Sequence, residues 1–349
     1  MTNTETSYTI GIEVIVVKLT GKDVMAYLSS CSKDGLESLV NALSAMLLPS
    51  NTSEYLTENR KNMTCPSCGH SHVVKNGKSQ TGMQHYICRN CGKAFSASTN
   101  TILQNSGKPL HVWKKYVECM ATGMPLRQTA ELCSITLPTA FVWRHKILDA
   151  IAKYLEEETL EGKIEADETF FALSYKGNHS KSAFSMPREP HKRGNSVHKK
   201  GLSKEQVCVP CAISGQQAVG KVACLGTAST AALKYTLNNR LAAGSILATD
   251  GKPGYAVVAQ ENNVELHSST TKGFVQHINN YHSKLKKFIV SLHGVATKYL
   301  NNYIVWNTMI HLKEGSIKKV MDAIPQIAFT APLWKPWKVI PCRDIIPSI

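Results

Sequence analysis

The sequence predicts an α/β protein in which two small modules precede one larger mixed domain. Three observations carry this prediction: two CxxC pairs between residues 60 and 98, helical periodicity over 108–155, and short strands with helices from residue 160 onward. A chain of 349 residues exceeds what one hydrophobic core normally serves. We therefore expect a helical lead-in and linker at 1–58, a cysteine-rich module at 60–98, a helical module at 108–155, the α/β domain at 160–310 and a tail at 311–349.

Positive charge is concentrated in two stretches of the chain, whose total net charge is +15. Residues 60–150 contain twelve Lys and Arg against three Asp and Glu, and residues 174–204 contain eight against one. Localised positive charge indicates a polyanionic partner, most often nucleic acid. A role in solubility alone is the alternative for either stretch.

The first residues do not have the pattern of a secretory signal. "MTNTETSYT" is polar, and the apolar run "IGIEVIVVKL" contains Glu13 and is too short to cross a bilayer. We therefore expect a cytoplasmic protein without a membrane partner. The chain has eleven cysteines, and in a reducing compartment closely paired cysteines favour metal binding over disulfides.

The cysteine-rich module has the spacing of a zinc ribbon. Cys65 and Cys68 form one CxxC pair and Cys88 and Cys91 form another, each followed by a glycine that lets the backbone turn toward the thiolates. Zn²⁺ prefers four such ligands in a tetrahedron, and a module this small needs the metal to hold it together. We also expect a hairpin turn at 75–77, between alternating strands. His70, His72 and His85 are less suitable ligands, because four cysteines are present.

The helical module predicts a helix-turn-helix. "LRQTAELCSITLPTAFVWRHKILDA" divides into two helices around "CSIT", where Ser134 or Thr136 can cap the second helix and Pro138 suits its first turn. Two helices joined by a short turn, the second one basic, are typical of DNA-binding units, and a plain helical hairpin is the alternative. The expected core residues are Ala130, Leu132, Ile135, Phe141, Val142 and Ile147. The expected DNA contacts are Thr136, Thr139, Arg144 and Lys146.

The α/β domain is expected to contain an RNase H-like sheet. "GKIEADETFFALSY", "VCVPCAIS" and "GKVACLG" are strand-like, and they precede a helix, two further strands and a final helix, "QHINNYHSKLK". We expect the first strands to be antiparallel and the later ones parallel. Cys208 and Cys211 have zinc spacing but lie in an apolar strand, so they are interpreted as core thiols. The insertion at 174–204 is basic, and Lys192, Arg193, Lys199 and Lys200 are its expected DNA contacts.

Two aspartates are placed to form an acidic site. Asp167 ends the strand "KIEAD" and Asp250 ends the strand "SILATD", and ligands of α/β sheets sit at such strand ends. Two adjacent carboxylates need a cation, and hard oxygen ligands suit Mg²⁺ or Mn²⁺. The alternative is that Asp250 opens the "DGKPGY" turn and Asp167 is a surface carboxylate. On the final helix, Asn279, His282 and Lys286 share one face.

These motifs resemble those of bacterial insertion-sequence transposases with an N-terminal zinc ribbon, a helix-turn-helix and an RNase H-like DDE domain. The resemblance covers about residues 60–310 and rests on "CPSCG…HVVKNGK…YICRNCGKAFS", "PLRQTAELCSITLPTAFVWRHKIL", "EADETFF", "LATDGKPGY" and "YHSKLKKFIVSLHGVATKYLNNYIVW". It implies that Asp167 and Asp250 are the first two catalytic carboxylates. Asn279 falls at the third acidic position, where some branches of the family carry Asn, and its uncharged amide would hold Mg²⁺ less tightly. Lys286 would contact the phosphate near the cut. His282 would do the same, orient a water or be structural.

The function implied by the resemblance is DNA transposition. The protein would bind terminal inverted repeats and catalyse metal-dependent 3′-end cleavage and strand transfer, with double-stranded DNA of element ends and target as its partners. Family members act as multimers, so a homo-oligomer at the bacterial nucleoid is implied. Two alternatives stay open: a non-catalytic zinc-ribbon DNA-binding protein, and an RNase H-like nuclease that does not join strands.

Overall fold

The computed structural model describes residues 63–78, 83–177, 203–269 and 274–347, together with Met25, 28–32, 35–36 and 55–56. The chain divides into two units, residues 1–50 and 51–349, and the fold described below is that of the second unit. Most of the expected lead-in helix lies outside the described residues. The same is true of most of the basic insertion, including Lys192, Arg193, Lys199 and Lys200.

The cysteine-rich module is a three-stranded antiparallel sheet in the order β1-β2-β3. Its strands are β1 (Val73–Lys78), β2 (Gln84–Cys88) and β3 (Ala94–Ser96). The alternation of β2 buries every second residue, as a sheet with one covered face requires. The turn predicted at 75–77 is wrong, because β1 continues through these residues with an irregular register and Gly77 takes a φ of +70°.

Three helices follow: α1 (Leu110–Ala121), α2 (Leu126–Leu132) and α3 (Leu137–Leu155). Helices α2 and α3 are joined by a four-residue turn, and Thr136 caps α3 by accepting a hydrogen bond from the amide of Thr139 at 3.3 Å. The predicted division into two helices around "CSIT" is therefore confirmed. The burial predicted for Leu132 is wrong: α2 ends at this residue, which is 43 % exposed.

The larger domain is built on a mixed sheet in the order β6-β5-β4-β8-β9. Strand β4 pairs antiparallel with β5 and parallel with β8, β5 pairs antiparallel with β6 and β7, and β8 pairs parallel with β9. This arrangement confirms the predicted RNase H-like α/β fold. The strands are β4 (Lys163–Ala172), β5 (Gln206–Ser214), β6 (Gln217–Gly220), β7 (Cys224–Leu225), β8 (Ile246–Thr249) and β9 (Glu265–Ser268).

Helices cover both faces of this sheet. Residues of α4 (Thr230–Leu237) and α5 (Gly254–Asn262) pack on one face, and residues of α6 (Gln276–Ser291) and α7 (Thr297–Leu312) pack on the other. Helix α5 was not predicted. It is the crossover that the parallel pair β8 and β9 requires, because parallel strands cannot be joined by a tight turn. Glu261 lies on this helix.

Cys208 and Cys211 lie on opposite faces of β5. Both are fully buried, Cys208 in the core beneath α4 and α5 and Cys211 in the core beneath α6. Because their spacing in a strand points the thiols in opposite directions, they cannot share a metal ion. Their interpretation as core thiols is confirmed.

The tail contains α8 (Ile317–Ile324), a π-helical turn (Pro325–Phe329) and a short 3₁₀ helix (Trp337–Val339). One hydrophobic core joins the ribbon, helices α1 to α3, α7 and the tail. At its centre the rings of Trp113 and Trp143 stack with centroids 3.6 Å apart. In the part of the chain that the structure describes, no helix combines the length and apolar character needed to span a membrane.

Candidate active site and metal centre

The four cysteines of the ribbon converge on one point. Their Sγ atoms all lie within 4.8 Å of one another, and the Cys65–Cys91 and Cys68–Cys88 pairs are each 3.6 Å apart. A tetrahedron of thiolates around Zn²⁺, with Zn–S bonds of about 2.3 Å, places sulfur atoms about 3.8 Å apart. The predicted ligand set is therefore brought together in a geometry that fits zinc.

The backbone of the ribbon favours the thiolate form of these cysteines. The amide of His70 donates a hydrogen bond to Cys68 and lowers the pKa of that thiol to about 6. The amide of Lys93 acts in the same way on Cys91, but burial and the other three sulfur atoms raise the pKa of Cys91 to about 11. Four thiolates repel one another unless a cation neutralises them. Among the described residues, the three histidines considered as competing ligands do not join this cluster.

Asp167 and Asp250 come from adjacent parallel strands. Strand β4 pairs with β8 as far as Glu165 and Ala248. Asp167 lies two residues further along β4, on the same face as Glu165, and Asp250 directly follows the end of β8. The two carboxylates are near enough for the charge of Asp250 to raise the pKa of Asp167.

The position of Asp167 differs in one respect from the prediction. Asp250 directly follows β8, as predicted, but Asp167 lies within β4, which continues to Ala172. The prediction of a strand end at Asp167 is wrong because the second half of β4 is supported by pairing with β5. Beside Asp167 the pairing with β8 has ended.

The environment of Asp167 opposes its negative charge. Burial raises the pKa of Asp167 to about 6, and the carboxylates of Glu168 and Asp250 add to this effect, while the Glu168 amide and Lys252 oppose it. The Glu168 amide donates to Asp167 Oδ1 at 2.8 Å. A divalent cation bound by oxygen ligands would relieve this repulsion. Asp167 and Asp250 supply oxygen atoms of the kind that Mg²⁺ and Mn²⁺ prefer as ligands.

Helix α6 is fixed to β4 by a residue that sequence reasoning missed. Glu165 is buried, and its Oε2 accepts hydrogen bonds from the amides of His277 at 2.8 Å and Ile278 at 3.1 Å. Its Oε1 lies 2.7 Å from His277 Nδ1. A carboxylate at a helix N-terminus satisfies unpaired amides and suits the helix dipole. The signal was present in the sequence, since Glu165 and Asp167 are two residues apart in a strand and therefore share a face.

The polar face of α6 meets Asp167 through His282. His282 Nδ1 lies 3.9 Å from Asp167 Oδ2, and the ring is buried. Burial lowers the pKa of His282 to about 4, and Lys286 adds to this effect, so the imidazole is neutral at neutral pH. His282 is therefore a neutral neighbour of Asp167 and not its ion-pair partner.

Asn279 and Lys286 flank His282 on the same helix face, and both are exposed. Asn279 Nδ2 donates to the carbonyl oxygen of Val275 at 2.9 Å. This bond uses the amide nitrogen and leaves Oδ1 as the atom that could serve as a metal ligand. Of these three residues, His282 is brought beside Asp167, and Asn279 and Lys286 lie on the same side of the helix.

A second acidic residue next to Asp167 was also missed. Glu168 points to the opposite face of the sheet, where its Oε2 lies 3.1 Å from Lys252 Nζ. The other carboxylate oxygen is buried, and Tyr255 is buried next to it, where burial and the charge of Glu168 raise the pKa of the Tyr255 hydroxyl. Glu168 therefore contributes charge to the environment of Asp167 without sharing its face.

The expected DNA contacts on α3 differ in accessibility. Thr136 is exposed, and Thr139 and Lys146 are partly buried. Arg144 is 2 % exposed, donates to the Met124 carbonyl at 3.0 Å and lies with its guanidinium 4.9 Å from the Trp306 ring centroid. The DNA contact predicted for Arg144 is therefore wrong, because α3 turns this residue into the core against α7.

Comparison with known proteins agrees with this architecture. Residues 159–305 match the family of ISXO2-like transposase domains. An uncharacterized protein in the transposable element ISH50 of Halobacterium salinarum is 26 % identical over 119 residues, which cover 34 % of this chain and 40 % of that protein. The matched stretch is thus less than half of that relative's length.

Among solved structures, the chain is similar to two Mos1 complexes. With the pre-cleavage Mos1 transpososome it has a TM-score of 0.21 and 10 % identity, over 63 % of this chain and 81 % of that one. With the Mos1 strand transfer complex it has a TM-score of 0.21 and 11 % identity, over the same shares. These scores are too low to carry a structural argument. The family match is the firmer finding, and it shows that residues 159–305 are similar to the ISXO2-like transposase domains.

Proposed function

We propose that this protein is a DNA transposase that binds the ends of its element and catalyses 3′-end cleavage and strand transfer. The observation that carries the proposal is the parallel pairing of β4 and β8, which ends at Glu165 and Ala248, two residues before Asp167 and Asp250. The transposase family match of the same domain supports it. The ribbon and α3 would bind the element ends, and their excess of positive charge favours this role.

The residues of the site have separate roles in this proposal. Asp167, Asp250 and Asn279 would hold Mg²⁺ or Mn²⁺, which neutralises phosphate charge and favours deprotonation of the attacking oxygen. Lys286 would bind a phosphate next to the cut. His282 would hold the Asp167 carboxylate in place as a neutral packing partner.

The proposed chemistry consists of two phosphoryl transfers. In the first, a water oxygen bonds to phosphorus at the element end, the P–O3′ bond breaks, and the 3′-oxygen takes up a proton. In the second, that 3′-hydroxyl loses its proton, bonds to a phosphorus of the target, and a target 3′-oxygen leaves. Two joined strands need two active sites, so we propose a homo-oligomer.

The test uses full-length protein, labelled duplexes carrying the DNA that flanks the gene, a supercoiled plasmid target and Mg²⁺ or Mn²⁺. Joined product is expected for the wild type. Cleavage without joining would indicate the nuclease alternative, and a mobility shift without cleavage would indicate a DNA-binding protein.

The carboxylate assignment is tested with Asp167→Asn and Asp250→Asn in the same assay. Each is expected to lower cleavage at least a hundredfold while DNA binding stays within about twofold, because the loss is confined to the chemistry. Asp322→Asn, at an exposed position of α8, is the matched control. Cleavage at the wild-type rate by either site variant would refute the assignment.

A further inference from the structure

The tail contains an exposed segment whose composition the proposed function does not explain. In "WKPWK", residues 334–338, two tryptophans alternate with two lysines. Trp337 is 59 % exposed and Trp334 is 38 % exposed. Tryptophan is rarely left so accessible on a protein surface, and aromatic rings beside lysines are characteristic of nucleic-acid contacts.

The segment is held rigidly against the protein on its C-terminal side. Ile340 is fully buried in the large core. Arg343 donates to both carboxylate oxygens of Asp149, on α3, at 2.8 Å each, and it also donates to Asn302 Oδ1 on α7. Nη2 makes both bonds to Asp149 and Nη1 makes the bond to Asn302, so both ends of the guanidinium group are held. Trp337 is therefore presented at a defined place.

That place is one wall of an open groove of about 380 Å³ beside α3. The facing wall includes Thr139, Val142 and Lys146, which are three and four residues apart and so form one stripe of the helix. Residues 104–106 also contribute polar side chains. The volume far exceeds the roughly 30 Å³ of one water, so the groove can take a larger polar ligand.

The charge of the groove indicates an anion. Lys146 is partly buried there, and burial lowers the pKa of its ammonium. Within the described part of the chain no ion pair includes Lys146, although Asp149 on the same helix pairs with Lys335 and Arg343. A partly desolvated ammonium without a carboxylate favours a negatively charged ligand.

We infer that this groove binds the sugar–phosphate backbone of DNA, with Lys146 and Thr139 contacting a phosphate and the Trp337 ring packing against the adjoining nucleotide. The tail would then be part of the DNA-binding surface and not only a covering of the core. This inference rests on the proposed function, because it assumes that α3 faces DNA. It adds a contact from outside the helix-turn-helix.

The test measures the affinity of full-length protein for the end duplex by fluorescence anisotropy over a range of salt concentrations. Trp337→Ala is expected to weaken binding about tenfold, the effect of losing one aromatic contact with a nucleotide. Lys146→Gln is expected to weaken binding several-fold. It should also reduce the slope of log affinity against log salt concentration by the amount expected for about one phosphate contact. Trp334→Ala is the matched control, since Trp334 is exposed but does not line the groove, and it should bind within about twofold of wild type.

The outcomes separate this inference from the proposed function. If the wild type cleaves and joins DNA while Trp337→Ala and Lys146→Gln bind as tightly as wild type, the groove is not a DNA contact. Tighter binding by Trp337→Ala would also overturn the inference, because the tail would then obstruct α3. If the wild type binds no duplex, both the inference and the proposed function fail. Thermal unfolding of each variant checks that a loss of binding is not a loss of fold.

Discussion

Burial and neighbouring carboxylates make the negative charge of Asp167 unfavourable when no cation is bound. A carboxyl whose pKa is higher in the folded than in the unfolded protein makes the fold less stable once it ionises. For Asp167 the pKa is about 6 against an ordinary 3.8, so this destabilisation is absent well below pH 4 and grows as pH rises to about 6. Ionised Asp167 therefore lowers the stability of the folded protein when no cation is bound.

The corresponding prediction concerns Asp167→Asn without added Mg²⁺ or Mn²⁺. The variant is expected to have a higher Tm than wild type at pH 7.5, with a smaller difference at pH 5, because the wild-type carboxyl is then largely protonated. Mn²⁺ should raise the Tm of wild type and leave the variant nearly unchanged. Differential scanning fluorimetry of zinc-loaded protein measures both effects. An equal Tm difference at the two pH values would contradict the explanation.

The proposed role of Asn279 depends on whether its side-chain oxygen, Oδ1, binds the metal ion. If its Oδ1 is a ligand, Asn279→Ala should weaken Mn²⁺ binding about tenfold and lower cleavage, whereas Asn279→Asp should strengthen binding by adding a charge. Electron paramagnetic resonance titration of Mn²⁺ measures the affinity. Asn280→Ala is the control, because Asn280 is equally exposed but points about 100° away around the helix. Equal affinity for Asn279→Ala and wild type would remove Asn279 from the ligand set.

At the scale of single elements, helix α6 depends on Glu165. Glu165→Ala should lower the free energy of unfolding by about 2–4 kcal/mol, because it leaves two amides and an imidazole without their charged acceptor. Urea denaturation measures the loss. Glu161→Ala is the control, because Glu161 is exposed and lies just before β4. It is expected to change the free energy of unfolding by less than about 0.5 kcal/mol.

Changes at Glu165 are also expected to affect the chemistry, because Glu165 holds the start of the helix that carries Asn279 and Lys286. Glu165→Gln keeps an oxygen for the two helix amides and should retain more cleavage than Glu165→Ala. If both variants cleave like wild type under conditions where they are folded, then the position of α6 does not control the site.

The ribbon is the element that needs a metal, since its three short strands bury few large side chains. Native mass spectrometry is expected to find one Zn²⁺ per chain, and Cys68→Ser should release it with loss of ribbon structure. Cys342→Ser is the control, because Cys342 is exposed and lies far along the sequence from the four ligands. Zinc content unchanged in Cys68→Ser would exclude Cys68 as a ligand.

At the scale of the whole molecule, the tail and the helices behave as one body because they share a core and a charged network. Asp149 on α3 contacts Arg343 and Lys335 of the tail, and Asn302 of α7 donates to it at 2.9 Å. Helix α3, helix α7 and the tail are thereby tied through the same carboxylate. A change at one is expected to affect the position of the others.

Arg343→Ala tests this connection and should destabilise the protein by about 2–4 kcal/mol, because it leaves Asp149 mostly buried without its guanidinium partner. A double-mutant cycle with Asp149→Ala should give a coupling energy above about 1 kcal/mol. Lys319→Ala removes an ion pair between two half-exposed side chains and is expected to have little effect. Additive effects of the Arg343 and Asp149 changes would show that the pair does not fasten the tail.

Much of the architecture could be predicted from local patterns. The zinc ligands follow from spacing alone, since two CxxC pairs with following glycines leave few other arrangements. The strands and the cap at Thr136 follow from alternation and from turn chemistry. Helix α5 could not be found in this way, because its short apolar stretch has no clear period and only the parallel pairing of β8 and β9 requires a crossover there.

The sequence by itself determined the residue types of both metal sites, the excess of positive charge, and the helix face shared by Asn279, His282 and Lys286. Tertiary structure decided what each residue meets. It directs Arg144 into the core and binds the start of α6 through Glu165. It also places Asp167 within a strand, and it puts Trp337 and Lys146 in the lining of one groove. The physical reason is that spacing along the chain fixes which face a residue occupies, whereas its partners come from segments far away in sequence.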